Sequence, residues 1–168
     1  MPFTPFHFGP GAALHALAPQ RFSFLAFCAG NVLVDVEPGY YLLTGQFPLH
    51  RFWHTVPGAL LAGAAVVALW ALMRRGRRCL PDVAGWKVLT LGPVVAGALA
   101  GVLSHVALDA VMHADMQPWA PFSTANPWLG AVPVGALHLG CVVAGVAGAA
   151  VVGWRRLRHW QQQRACRR

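Results

Sequence analysis

The stretch that decides the fold runs from Val88 to Leu108, VLTLGPVVAGALAGVLSHVAL, and its only ionisable side chain is His105. As a helix rising about 1.5 Å per residue it would be about 31 Å long, the thickness of a bilayer's hydrocarbon core. Two more stretches share this character: Val56–Met73 carries no charge, and Ala131–Trp154 carries only His138 before its end. A fourth, Phe22–Leu43, is interrupted by Asn31, Asp35, Glu37 and Pro38, which predicts a broken or partly exposed span. With 57% hydrophobic and 11% charged residues, the chain is far more apolar than an ordinary soluble domain. The expectation is an all-α integral membrane helical bundle of about four transmembrane or re-entrant helices. One membrane-embedded domain would cover residues 1–154, and residues 155–168 would form a basic tail.

The net charge of +8 is concentrated. Five of the thirteen basic residues lie between Arg74 and Lys87, and six lie between Arg155 and Arg168. Both clusters abut apolar spans, so the positive-inside rule predicts a cytoplasmic inner loop and C-terminus, near anionic lipid heads. This distribution argues against nucleic acid as the partner. The first 28 residues lack a basic start followed by an unbroken apolar core, which argues against a cleaved secretory signal. Cysteines 28, 79, 141 and 166 form no CxxC pair, so neither a disulfide framework nor a thiolate zinc site is indicated.

Beyond Leu108 the sequence continues DAVMHADMQPWAPFS, so His105, Asp109, His113 and Asp115 follow in close order. His105, Asp109 and His113 are spaced four apart and fall on one helical stripe. His105 and His113 would lie about 12 Å apart along the axis, too far to share one ion. Either Asp109 bridges two ions, which in two-metal hydrolases sit about 3.5–4 Å apart, or His113 acts from behind a ligand.

The remaining polar groups predict a common layer. Pro19 and Gln20 would turn a hairpin between short helices at Gly11–Ala18 and Phe22–Val34, bringing His7 level with Asp35. Counting from the basic side places His54, His105 and, less directly, His138 at similar depth. His50 and His54 in HRFWHTVPG share a face only if a helix begins near Pro48; otherwise they lie on a lead-in segment and can still converge. Asp35 and Glu37 share a face if extended and diverge by about 200° on a helix.

An ionisable group at membrane depth needs a partner. Histidine with carboxylate is a donor set for zinc or another divalent transition metal. A lone histidine in an apolar helix is more often a packing residue, and that reading suits His15 and His138. The expected metal ligands are His7, Asp35, His50, His54, His105 and Asp109, holding one or two zinc-like ions. Glu37, His113 and Asp115 are the candidates for general base or ligand support.

At these residues the sequence resembles a bacterial family of LexA-regulated inner-membrane metal-dependent hydrolases and related bacterial membrane proteins. The family carries an early His, a Pro-Asp-x-Asp-His motif, a His-Arg-Gly-x-Thr-His motif, and Ser-His-x-x-x-Asp before a Pro-rich loop. The counterparts are His7, Asp35 and Glu37 in VDVEP, His50 and His54 in HRFWHT, and His105 and Asp109 in SHVALD before MQPWAPF. VDVEP lacks the flanking Pro and His, and His50 and His54 are four apart rather than five. The resemblance implies metal-dependent hydrolysis, and a site near the bilayer edge suggests a lipid-linked or phosphate-ester substrate. The alternatives are a proton or metal-ion relay, a structural polar cluster, and a b-type haem bundle using His54 and His105.

Overall fold

The computed structural model describes residues 4–82 and 85–165. The described residues form five α-helices and no strand: α1 (Phe8–Leu17), entered through a 3₁₀ turn at Thr4–His7, α2 (Phe24–Leu43), α3 (Val56–Arg75), α4 (Leu91–Met112) and α5 (Val134–Ala165). Helices α3, α4 and α5 are long and apolar enough to cross a membrane; Val56–Met73 lies within α3, while the expected spans Val88–Leu108 and Ala131–Trp154 each begin three residues before α4 and α5. Helix α5 continues to Ala165, so most of the basic stretch from Arg155 is helical. Arg155 Nη1 donates to the Ala16 carbonyl at 2.5 Å, tying that helix to the end of α1.

The N-terminal third forms the expected hairpin with shifted limits. Helix α1 has 10 residues, about 15 Å, and cannot cross alone. Helix α2 does not stop at Val34 or break at Pro38 but continues to Leu43. A proline removes one N–H and crowds the carbonyl four residues earlier, a local penalty that packing can override. Asp35 and Glu37 are therefore on a helix and point to different neighbours. Ser23 caps α2, its Oγ accepting the Ala26 N–H at 3.1 Å, while its own N–H donates to the Pro93 carbonyl at 2.9 Å.

That last bond sets the register of the bundle. Helices α2 and α4 run parallel, and their contacts advance one turn at a time. A Cβ added to Gly97 would strike the Ser23 carbonyl, and one added to Gly101 would strike the Phe27 carbonyl. One turn further, Asn31 meets His105. Between lipid-facing helices burial supplies little drive, so close backbone approach at small residues holds the pair together. The glycines of GPVVAGALAG thus bring the polar residues of α2 against those of α4. Helix α3 packs against both α2 and α4, and α1 packs on α5. Val34, Ala59, Ala62, Val102, Val106, Ala110 and Met116 form a buried apolar cluster.

A candidate metal centre

The polar layer lies at the end of the bundle opposite Arg74–Lys87: at the N-terminal approach to α3, the last turns of α4, the second half of α2, and the start of α1. Asp109 is its hub. Its Oδ1 lies 3.1 Å from His7 Nε2, and its Oδ2 lies 3.2 Å from His105 Nε2 and 3.4 Å from His54 Nε2. His50 and His113 approach the same carboxylate at 3.9 Å, and His105 Nε2 is also 3.2 Å from Asp35 Oδ1. His7, His54, His105 and Asp109 are all buried.

Two groups of donor atoms result, each lying within 4.8 Å of one another: Asp35, His54, His105 and Asp109, and His50, Asp109 and His113. Either group could hold a metal ion, and Asp109 belongs to both. The 12 Å spacing of His105 and His113 accordingly places them in different groups. His113 stands just past the end of α4 with φ −115° and ψ 124°, so its ring leaves the helical stripe and stacks on His50 at 4.4 Å.

The fit to an ion can be tested on the nitrogen atoms. His54 Nε2 and His105 Nε2 are buried, lie within ion-pair distance of carboxylates, and have no hydrogen-bond partner. Buried polar atoms are almost always satisfied, and each orphan costs about 1–3 kcal/mol. The carboxylate–imidazole distances of 3.2–3.4 Å match the edge of a tetrahedral zinc site, about 3.3 Å for bonds of 2.0–2.1 Å. Both nitrogens crowd the same Asp109 oxygen, and the four donor atoms lie within 4.8 Å of one another. The donor set therefore fits a divalent metal ion.

The surrounding groups orient these ligands. Asn31 Nδ2 donates to the Phe27 carbonyl at 2.9 Å, which turns its Oδ1 toward His105 Nδ1 at 3.1 Å. His105 Nδ1 must then carry the proton, leaving Nε2 as an acceptor facing the carboxylates. At the other group, Asp115 Oδ1 accepts from His50 Nδ1 at 2.8 Å, and its Oδ2 accepts the N–H groups of Leu49 and His50. Partial burial would raise the Asp115 carboxyl, but the bonds with His50 hold it below its ordinary 3.8. Burial pushes the imidazoles of His54 and His113 below their ordinary 6.5, against the pull of Asp109, and so favours the neutral, ligating form.

The nine residues expected from sequence are placed as follows. Asp35, His50, His54, His105 and Asp109 contribute to the donor groups, and His113 joins them as a donor. His7 lies outside both groups, hydrogen-bonded to Asp109 and stacked on His105 at 4.3 Å. Asp115 is occupied in holding His50. Glu37 Oε2 accepts the Trp53 N–H at 2.9 Å, fixing the 3₁₀ turn Phe52–His54 that carries His54. His50 and His54 converge from this lead-in segment, since α3 starts only at Val56. His15 bonds the Phe22 carbonyl at 3.0 Å and His138 stacks on Phe6, apart from the centre.

Asn31, which bonds His105, is not among the residues expected from sequence. Its signal was available: an amide in an apolar helix, four residues before Asp35. The rings of His54 and His105 have centroids 5.3 Å apart, leaving no room for a porphyrin between them.

Helical membrane bundle and buried His/Asp centre together define the class: an integral membrane protein with a candidate metal-binding core. The chain belongs to the YdjM inner membrane protein family, whose model matches residues 1–165. Comparison with curated proteins and with solved structures brings no match.

Proposed function

We propose that this protein is a membrane-embedded metal-dependent hydrolase acting on a phosphate ester of a lipid-linked substrate at the outer face of the membrane. The observation that carries the reading is the convergence of Asp35, His54, His105 and Asp109, with two buried imidazole nitrogens that no hydrogen bond satisfies. Asp35, His50, His54, His105, Asp109 and His113 would hold one or two ions, with zinc best suited to this nitrogen and oxygen set. Such an ion supplies Lewis acidity toward a phosphoryl oxygen and a hydroxide-like nucleophile at neutral pH.

The chain's own groups supply the rest. His7 holds Asp109, Asp115 holds His50, and Glu37 holds the turn bearing His54, so these three ligands enter pre-oriented. Arg51 directly follows His50 and is the single Lys or Arg in the segments at this end of the bundle, suited to pairing with a phosphate. Its Nε donates to the Pro48 carbonyl at 3.0 Å, and its guanidinium stacks on Tyr41 at 3.7 Å. The positive-inside rule supports the orientation, because the basic loop and helix end lie opposite the centre. A relay through the membrane is disfavoured: among the described residues, the buried polar groups gather at one end, with Ser23 alone toward the other.

The test is phosphate release from phosphatidic acid in mixed micelles by zinc-loaded protein. Hydrolysis that disappears with chelator and in His105→Ala supports the reading. A zinc-loaded, folded protein that releases no phosphate from this or other lipid phosphate esters contradicts it.

A further inference from the structure

We propose that the centre comprises two unequal ion positions, closed and open, and that Asn31 and Asp115 are the positioning residues that each fix one ligand histidine. The inference deepens the metal-centre reading above and rests on it. The closed position, Asp35, His54, His105 and Asp109, offers four donors, three of them buried, with edges of 3.2–3.4 Å. Four protein ligands are the mark of a site that keeps its ion. The open position, His50, Asp109 and His113, offers three donors with longer 3.9 Å separations, and the His113 side chain is 21% exposed. Three protein ligands with solvent access are the mark of a site that exchanges its fourth ligand.

The outer partners differ in the same sense. Asn31 is fully buried and neutral, and its amide is pinned by the Phe27 carbonyl, so it fixes the His105 tautomer without adding charge. Asp115 is anionic, and its side chain is 35% exposed. Its carboxylate against Nδ1 makes His50 a stronger donor through Nε2, offsetting the smaller ligand number. Neither residue belongs to a donor group, so each reaches an ion position through the histidine it holds.

The experiment titrates metal-stripped, full-length protein in detergent with zinc against a chromophoric chelator, and repeats the titration with cobalt to read its visible spectrum. The parent should bind in two steps of different affinity. Asn31→Leu should weaken the tighter step by roughly 10–100-fold, and Asn31→Asp, which keeps an oxygen acceptor, should restore it. Asp115→Ala should weaken the looser step alone and leave the cobalt spectrum of the tight site unchanged. Circular dichroism and monodispersity establish folding; should Asn31→Leu not fold, Asn31→Asp and Asp115→Ala still decide. A single step in the parent, an Asn31→Leu variant that binds like the parent, or equal weakening of both steps by Asp115→Ala overturns the inference. Absence of any zinc or cobalt binding overturns the metal reading itself.

Discussion

Replacing Asp109 by Asn removes one charge and changes almost no volume, at the carboxylate that five histidines approach within 3.9 Å. Structural zinc sites bind with roughly 10–16 kcal/mol over four ligands, so one ligand in four is worth roughly 2.5–4 kcal/mol, or roughly 10²–10³ in affinity. At free zinc equal to 100 times the parent's Kd, binding stabilises the parent by about 2.7 kcal/mol, whereas a variant 100-fold weaker retains about 0.4 kcal/mol. Unfolding in detergent, with zinc and with chelator, reads this difference directly. Asp109→Asn should lose most of the zinc-dependent shift while still unfolding cooperatively. A purely structural cluster predicts a different pattern: no zinc-dependent shift in the parent, and a loss of about 1.5–3 kcal/mol in the variant whatever the metal. An equal zinc-dependent shift in parent and variant would refute the assignment of Asp109 as hub.

Other perturbations separate geometry from chemistry. Gly101→Leu touches no donor group, yet it must push α2 from α4 at the Phe27 carbonyl; it should cost at least about 1–3 kcal/mol and lower zinc content together with stability. Glu37→Gln keeps an oxygen for the Trp53 N–H, so hydrolysis should survive it, whereas Glu37→Ala should reduce zinc affinity by freeing the His54 turn; abolition by Gln would instead make Glu37 the general base. Asp115 has a folded pKa below 3.8, so its anchoring of Leu49 and His50 is complete above the unfolded value and is lost as pH falls through the lower folded one. Amide exchange at these two residues should therefore stay slow down to about pH 4 in the parent and be faster throughout in Asp115→Ala. Reporters fused after Cys79 and after Ala120 should report opposite sides of the membrane; the same side would break the shared-layer geometry.

The spans were legible because membrane helices declare themselves by length and apolarity, and Val88–Leu108 needed no partner to be recognised. The centre was legible where helical spacing suffices: His105 and Asp109 share a stripe wherever α4 packs. The roles of the outlying residues were not. Whether Asp115 acts as base or as support depends on Leu49 and His50 folding back over it across more than sixty residues of sequence. The exit of His113 from the stripe depends on where α4 ends, and helix ends are weakly encoded without a glycine or a clear cap. Continuation of α2 through Pro38 is a tertiary effect, since the local signal there favours a break. Asn31 gained its role only once glycine contacts had set α2 and α4 in parallel register.

The central claim is that the buried His/Asp layer holds metal. Elemental analysis of detergent-purified protein, expressed with zinc available, tests it most directly. The account predicts at least one tightly held divalent ion per chain, lost in folded His105→Ala and Asp109→Asn variants. A parent without stoichiometric metal, or variants that retain it in full, would contradict the account.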